Sequence, residues 1–234
     1  MTVAQIKKGD KASYDTFGLR IMSRELNPPS KKKIKKEVPF MHGSYDFSLL
    51  NGDQPYTERE LTYTFEMKYQ DKTEYFDKKI KIIEWLEGSP YERIEDNQIR
   101  GYHFLGECDN SIEFVEDFNN DEVTVTFTAY PFKIRDYAEG KIPWDDFCFL
   151  TDCLQQTKFT VDGRLNIQMY NHGSAGMYPT IICDSDFRIV KKNMAYNLKA
   201  GTIKSYDFRI DKGTNDMTLI GNGTIEFIWY KEVL

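Results

Sequence analysis

Two segments of this chain alternate apolar and polar residues over their whole length, and this pattern restricts the folds that the chain can adopt. In Leu61–Tyr69 every odd-numbered residue is apolar and every even-numbered residue is polar. Val123–Ala129 repeats the alternation. Successive side chains of a β-strand point to opposite faces of a sheet, so each segment predicts a strand with one face on a core.

One helix is expected between these two strands. Asp77–Glu87 changes to a helical period, and Gly88–Pro90 supplies residues that end a helix. The side chains expected to face the core recur three or four residues apart, and they are Phe76, Ile80, Ile83 and Leu86. Two further strands are expected near Ile99–Leu105 and Ser111–Phe114.

The second half of the chain is expected to consist of strands alone. Short apolar stretches recur there at roughly 8–12-residue spacing with turn residues between them, which is typical of a sandwich or jelly roll. Turns are expected at Asp162–Gly163 and Gly221–Gly223, among others. The expected strands lie near Lys158–Val161, Leu165–Tyr170, Tyr178–Cys183, Phe187–Val190, Lys204–Ile210, Met217–Ile220 and Thr224–Tyr230.

The sequence therefore predicts a mainly β protein with two β-sandwich-like domains, the first of which carries one covering α-helix. The first domain is expected over residues 1–135 and includes an extended arm. Residues 136–143 are expected to form a linker, and residues 144–234 the second sandwich, a jelly roll.

Composition excludes several classes of function. The net charge of −6 argues against the basic surface that nucleic-acid binding requires. No apolar run approaches the roughly 18–20 residues that span a bilayer, and the amino terminus lacks the apolar core of a signal peptide. We therefore expect a protein that folds in a cytoplasm. The four cysteines lack the close spacing of zinc ligands and are expected to be free thiols.

The segment before the first alternating strand combines a Pro-Pro pair with a run of lysines. Pro28 and Pro29 force an extended backbone and cannot donate sheet hydrogen bonds. Such a run indicates either a nucleic-acid-binding patch, or a solvated loop or edge strand whose lysines prevent pairing with other strands. The acidic balance of the chain favours the second interpretation. The lysines of the run are Lys31, Lys32, Lys33, Lys35 and Lys36.

No sequence motif with catalytic or metal-binding spacing occurs. His42, His103 and His172 are isolated in sequence and are expected to be turn or surface residues. The carboxylate-rich segment Glu107–Glu122 could supply an acid–base pair or calcium ligands, but solvated acids beside a loop are the expected role. Trp144 is the tryptophan least tied to a core, and it could form part of a sugar-stacking platform.

Several motifs occur in an order that resembles the siphophage distal tail protein family. The first is Val38–Phe47, followed by Tyr56, Arg59 and the alternating strand that begins at Leu61. The resemblance covers nearly the whole chain. The later matches, in the same order, are Trp85-Leu86, Gly101–Phe104, Val123–Pro131, Val161–Asn171, Pro179–Ile181 and Asn222–Phe227.

This resemblance implies a structural protein of the phage tail tip, made in the host cytoplasm and located in the virion, with no enzymatic activity and no cofactor or metal. In the family, six copies form a ring through their amino-terminal domains, and an arm of each copy embraces its neighbour. The ring joins the tail tube protein and the tape-measure protein to a tail-associated adsorption protein. The second domain would then be a galectin-like sandwich that points outward.

We expect such an arm within Arg24–Phe40, where the Pro-Pro pair and the lysines disfavour a compact element. One hypothesis pairs the lysines with the acidic segment Glu107–Glu122 of a neighbour. The residues assigned to this oligomer interface are Pro28, Pro29, Lys31, Lys32, Lys33, Lys35, Lys36, Pro39 and Phe40.

Two other functions stay open on the sequence alone. The second sandwich could be a carbohydrate-binding module for attachment to the host cell wall, although the chain lacks the galectin-type H-x-N-P-R stretch. It could also carry a glycoside hydrolase site, with Glu226 and Asp207 on strands as the two carboxylates.

Overall fold

The structure, a computed structural model, describes residues 3–40, 42–50, 52–116 and 121–234. It confirms a mainly β fold with two sheet bodies, the first of which carries a long helix. The chain divides into one unit that runs to Ile134 and a second unit, Arg135–Val233. Each unit has its own hydrophobic core.

The first unit is an antiparallel sheet against which one long helix packs. Its elements, in chain order, are β1 (Ile6–Lys8), β2 (Lys11–Ala12), α1 (Ser13–Phe17), β3 (Arg20–Leu26), β4 (Lys35–Glu37), β5 (Ser44–Asp46), β6 (Arg59–Met67), α2 (Lys72–Glu87), β7 (Glu92–Asp96), β8 (Tyr102–Val115) and β9 (Asp121–Ala129). The main sheet has the order β2-β1-β7-β8-β9-β6-β3. Strands β4 and β5 pair with each other outside this sheet.

Strands β6 and β9 lie side by side in this sheet and follow the alternation of the sequence. Leu61 of β6 pairs with Phe127 of β9, and both side chains are fully buried. On the opposite face, the hydroxyls of Thr62 and Thr126 lie 3.2 Å apart. The apolar face thus packs into the core while the threonine face bonds across the strands, as expected for a half-buried sheet.

Strand β8 joins two segments that were expected to be separate strands. It runs without interruption from Tyr102 to Val115, with a register shift against β9 between Cys108 and Ser111. A β-bulge of this kind lets one strand continue through an irregular stretch. His103 lies in β8 and is buried, so the expectation of a turn or surface position is wrong for this histidine.

Helix α2 begins at Lys72, earlier than the expected Asp77. The carboxylate of Asp71 accepts a hydrogen bond from the Glu74 N–H at 2.9 Å. The Glu74 carboxylate in turn accepts one from the Gln70 N–H at 2.7 Å. This reciprocal cap satisfies amide groups that would otherwise lack partners at the start of the helix, and it sets the first turn.

The face of α2 that packs on the sheet differs from the predicted one. Of the predicted stripe only Leu86 is fully buried, whereas Phe76 and Ile80 are each 55% exposed. Trp85 is drawn into the core, where it stacks on Phe17 of α1 with ring centroids 4.8 Å apart. The helix is therefore rotated about its axis relative to the expectation. The buried residues of α2 are Tyr75, Ile82, Trp85 and Leu86.

The remaining strands, in chain order, are β10 (Lys133–Ala138), β11 (Lys158–Asn171), β12 (Thr180–Cys183), β13 (Phe187–Lys191), β14 (Met194–Leu198), β15 (Gly201–Lys204), β16 (Gly213–Ile228) and β17 (Tyr230–Val233). The second sheet has the order β14-β13-β16-β12-β15, with β11 on the other edge of β16, and β10 pairs with β17. Strand β10 occupies the start of the predicted linker 136–143. Strand β14 was not expected, and β15 ends where the predicted strand Lys204–Ile210 begins.

Strand β11 pairs along its whole length with residues 213–226 of β16, and two turn predictions are wrong as a result. Asp162–Gly163 and Gly221–Gly223 face each other inside this ladder instead of ending strands. On its other edge, β16 pairs first with β13 and then with β12. Glycines in the middle of a long strand mark a sharp bend, and here they allow the second sheet to curl around its core.

Gly223 sits where the turn between β12 and β13 crosses β16. A Cβ atom on Gly223 would lie 2.1 Å from Asp184 Oδ1 and 2.7 Å from Ser185 Oγ. The same Asp184 oxygen accepts a hydrogen bond from the Thr224 N–H at 2.8 Å, so it is not free to move away. The backbone φ of Gly223 is also positive, at 139°. Both features require a residue without a side chain.

We predict that Gly223→Ala destabilises the protein more than Gly163→Ala. Both glycines have positive φ, but nothing lies within 4 Å of a Cβ on Gly163. The control variant should cost about 1 kcal/mol through its backbone conformation, and Gly223→Ala roughly 1–3 kcal/mol more through the clash. Urea unfolding of the two variants measures this difference. Equal losses would contradict the close crossing.

Candidate functional site: a ribbon with one apolar face

Residues 27–58 leave the main sheet after β3, return to it at β6, and form a narrow antiparallel ribbon in between. At its base, the Thr57 N–H donates to the Ser30 carbonyl at 2.9 Å. Further out, the Phe47 N–H donates to the Ile34 carbonyl at 2.8 Å, and β4 then pairs with β5. The outgoing and returning segments thus support each other, and all residues of β4 and β5 are exposed, so no second layer of the described chain covers this strand pair.

The register of the ribbon separates its side chains into two faces. Lys36 lies opposite Tyr45, and Ile34 lies beside Phe47, so these four side chains share one face by strand alternation. Val38 continues this face. The exposed fractions are 48% for Ile34, 42% for Val38, 54% for Tyr45 and 42% for Phe47. An exposed apolar face of this kind on a folded protein marks an interaction surface.

The other face of the ribbon is polar. Lys33 forms an exposed ion pair with Asp46 at 3.4 Å. The buried Ser48 hydroxyl and the Ser48 N–H both hydrogen-bond to Asp46, and with the Lys33 charge they lower the pKa of this carboxyl to about 2. Asp46 therefore stays ionised at neutral pH and fixes the bend at the base of β5.

The tip of the ribbon places one aromatic side chain entirely in solvent. Phe40 has a relative exposure of 108% and a backbone φ of 67°. A positive φ is costly for a residue with a side chain and persists where the surrounding structure or a function requires it. Such a residue at the end of an extended element suits insertion into a pocket of another molecule.

The structure brings all the predicted interface residues onto this one ribbon, although its bounds and form differ from the expectation. Arg24 is not part of it, because it lies in β3 and forms an ion pair with Asp96 at 3.1 Å. Lys35 and Lys36 do form a regular element, the strand β4. The returning half of the ribbon was missed. The alternation of Tyr45 with its neighbours after the Gly43 turn was the signal that could have indicated it.

A second exposed apolar surface, here called the aromatic loop, spans residues 144–154 of the second unit. Trp144, Phe147 and Phe149 pack on one another with ring centroids 5.2–6.1 Å apart. Trp144 is 73% exposed, and Leu150 and Leu154 are 94% and 83% exposed. The loop also carries two acidic side chains, Asp145, which is exposed, and Asp146, which is half-buried.

A buried carboxylate holds the aromatic loop in place. Asp152 accepts hydrogen bonds from Arg135 at 3.0 Å, from the Cys148 N–H at 2.9 Å and from Lys231. All three charged side chains are at most 5% exposed. Burial alone would raise the pKa of Asp152, but the bonds from Lys231 and Cys148 and the two positive charges outweigh it and hold the pKa below its usual value.

Of the two carboxylates considered for catalysis, one is held in an ion pair and the other lies outside the strands. Glu226 lies half-buried on β16 and is bound by Lys141 at 2.6 Å. Asp207 lies exposed between β15 and β16 and not on a strand, so that expectation is wrong. Glu139 is buried, and burial raises its pKa; its carboxylate accepts a hydrogen bond from Gln155 at 3.1 Å.

The acidic segment Glu107–Glu122 lies mostly within strands β8 and β9. Glu116 is bound by Lys72 at 2.7 Å, and Asp121 is buried. Asp117, which also belongs to this segment, lies outside the described residues. In the described ranges, no three His, Cys, Asp or Glu side chains converge as a metal site would require. None of the four cysteines forms a disulfide in the described structure.

No helix in the described parts of the chain has the length and apolar character to cross a membrane.

No protein-family model and no curated protein sequence matches the chain. Comparison with solved structures, in contrast, gives matches over the full length.

The fold is one that phage tail hub proteins use, which confirms the resemblance at the level of fold. The crystal structure of the Dit protein of phage SPP1, described as a paradigm of the hub adsorption apparatus in phages that infect Gram-positive bacteria, matches with a TM-score of 0.63. The match covers 100% of both chains at 11% sequence identity.

Two structures of the phage p2 baseplate in its activated conformation, with Sr and with Ca, also match over nearly the whole chain. They cover 99% and 100% of this chain and 97% and 99% of theirs. Their TM-scores are 0.39 and 0.38 at 8% identity, so these two matches support no conclusion about this chain.

We predict that Asp152→Asn destabilises the protein by about 3–5 kcal/mol, because it leaves Arg135 and Lys231 buried without their counter-charge. Asp186→Asn is the matched control: Asp186 forms an ion pair with Lys199 in which both side chains are mostly exposed, and its loss should have little effect. Denaturant unfolding at neutral pH measures both. Equal effects of the two variants would contradict the role of the buried carboxylate.

The same network predicts a pH dependence. Since the pKa of Asp152 is lowered in the folded protein, its contribution to stability is fully present above the usual carboxyl pKa of about 4. The contribution is lost as the pH falls through the folded pKa. Asp152→Asn should therefore lose less stability than the unaltered protein between neutral and acidic pH. An unchanged acid slope in this variant would contradict the prediction.

Proposed function

We propose that this protein is a structural component of a phage tail tip that forms a hexameric ring between the tail tube and the adsorption apparatus. The observation that carries this proposal is the ribbon of residues 27–58, which exposes an apolar face and an apolar tip. The full-length match to the fold of SPP1 Dit supports it, because that protein is described as part of a hub adsorption apparatus. In this proposal the protein holds other molecules in place and catalyses no reaction.

The ribbon suits the closure of a ring. An isolated two-stranded ribbon is only marginally stable in water, so its apolar face requires a covering surface. A head-to-tail contact places the ribbon of one copy on a different surface of the next copy, and six such contacts close if the rotation is 60°. Extended segments add much interface for few residues, and stable rings bury more than about 2,000 Å² per interface.

The proposed partners follow from the place of the ring. One side would contact the tail tube protein and the tape-measure protein, and the other a tail-associated adsorption protein. The aromatic loop offers a second exposed apolar surface for such contacts, and Asp152 holds it in one conformation before any partner binds. Neither nucleic acid nor a membrane is expected as a partner.

Carbohydrate binding by the second unit is the alternative function. A groove of about 460 Å³ on this unit is lined by polar side chains that include Asn166, Gln168 and Asp216. These side chains already bond to neighbours, since Gln168 donates to Asp216 at 2.7 Å. Calorimetric titration with cell-wall polysaccharide separates the two functions, because only the alternative predicts saturable binding.

We predict that the double variant Ile34→Ser, Phe47→Ser abolishes the hexamer while the monomer stays folded, because both side chains lie on the apolar face of the ribbon and contact solvent in the single chain. The matched control is Glu37→Ser, Lys35→Ser on the polar face. Multi-angle light scattering gives the mass of each variant, and circular dichroism checks its fold. A hexamer that survives in the apolar-face variant would refute the proposed interface.

We also predict that reversing the charge of the lysine run weakens the ring in a salt-dependent manner. The triple variant Lys31→Glu, Lys32→Glu, Lys33→Glu should raise the protein concentration needed for assembly. The increase should be largest at low ionic strength, where exposed charges are least screened. Sedimentation velocity at low and high salt measures this effect. The charge hypothesis fails if the variant assembles like the unaltered chain at both salt concentrations.

A further inference from the structure

One side of helix α2 is apolar and largely exposed, although the ring of Phe76 contacts that of the neighbouring Tyr75 with centroids 5.2 Å apart. Phe76, Ile80 and Ile83 occupy positions i, i+4 and i+7, which lie on one stripe of a helix. Phe76 and Ile80 are each 55% exposed, and Ile83 is half-buried. The stripe lies beside the buried face of α2 and not on it, so the core of the single chain does not require these residues to be apolar.

The exposed border of this stripe is acidic. Asp77, Glu84 and Glu87 flank it on the solvent side, and all three are exposed. The lysines at the opposite border have partners already: Lys72 binds Glu116 at 2.7 Å, and Lys79 lies over the ring of Phe114 at 4.7 Å. The stripe is therefore an apolar surface with a negative rim.

We propose that the apolar face of the ribbon of a second copy covers this stripe on α2. Of the ribbon and the aromatic loop, the ribbon is the basic surface, since Lys36 stands on its apolar face and Lys32, Lys33 and Lys35 lie beside it. The aromatic loop carries Asp145 and Asp146, which an acidic rim would repel. This inference rests on the proposed ring and identifies the surface that receives the arm.

The dimensions of the two surfaces agree. From Phe76 to Ile83 the helix rises by about 10 Å, at 1.5 Å per residue. From Ile34 to Val38 the ribbon extends by about 13 Å, at roughly 3.3 Å per residue. A short strand pair laid along the stripe can thus bring Ile34 and Val38 onto the three helix residues and place Lys36 near the acidic rim.

Disulfide formation between copies tests the contact. Val38→Cys is made in one tagged chain, and Phe76→Cys, Ile80→Cys or Ile83→Cys in a second, each with Cys148→Ser to remove the exposed native thiol. The matched control is Lys81→Cys, an exposed position that lies about 100° around the helix from Ile80, beyond the acidic border. Under mild oxidation, at least one stripe position should give about fivefold more mixed dimer than the control, because a disulfide forms only at short Cα separations.

Light scattering of the same samples separates the possible failures. A ring that assembles but gives no more disulfide at the stripe than at Lys81 overturns this contact and leaves the ring in place. A chain that stays monomeric at every concentration overturns the ring, and the contact with it.

A charge exchange gives an independent readout. Glu84→Lys with Glu87→Lys should raise the concentration for half-assembly about tenfold, since like charges would then meet across the contact. Adding Lys36→Glu should recover most of this loss, whereas adding Lys81→Glu should not. The pairing would be overturned if Glu84→Lys with Glu87→Lys weakens assembly and the addition of Lys36→Glu does not restore it.

Discussion

A two-stranded ribbon has no second layer, and this constraint governs how the molecule can be used. The strands of both main sheets bury one face against a core within the chain, as Leu61 and Phe127 do in the first unit. The ribbon cannot, because residues 27–58 lie outside the main sheet. Its Ile34, Tyr45 and Phe47 side chains are exposed in the single chain. In the proposed ring a second copy covers them, and this burial is favourable because it removes apolar surface from water.

Helix α2 also exposes apolar side chains that the single chain leaves largely uncovered. A helix that only covered a sheet would need one apolar stripe, but α2 has the buried residues around Trp85 and a second stripe at Phe76 and Ile80. The ribbon and the second stripe carry opposite charge at their borders. Two exposed apolar surfaces of opposite charge on one chain suit a head-to-tail contact, because each copy can offer its ribbon to one neighbour and its α2 stripe to the other.

In the second unit, a buried network keeps an exposed apolar surface in one conformation. The aromatic loop has no strand pairing of its own from Trp144 to Leu154 in the described structure. A single buried carboxylate, Asp152, ties it to Arg135 and Lys231 on the flanking strands β10 and β17. Ordering a loop in advance reduces the entropy that binding would otherwise have to remove.

How much of this could be predicted from the sequence depends on whether local pattern and tertiary context agree. The alternation at Leu61 and at Val123 was sufficient for two central strands, because each strand has one face on the core. The helix stripe was wrong because periodicity shows that an apolar stripe exists but not which molecule covers it. Gly163 and Gly221 are predicted as turn residues because glycine is common in turns, but they lie inside a long strand pair that bends. The buried Asp152 network joins residues far apart in sequence, so no local pattern could have indicated it.

The most direct test of the central claim is electron microscopy of the purified full-length chain, with its mass measured by light scattering over a range of concentrations. The account predicts six-membered annuli with a central hole, at a mass six times that of the chain. A protein that remains monomeric at every concentration, or that forms particles of another symmetry, would contradict it.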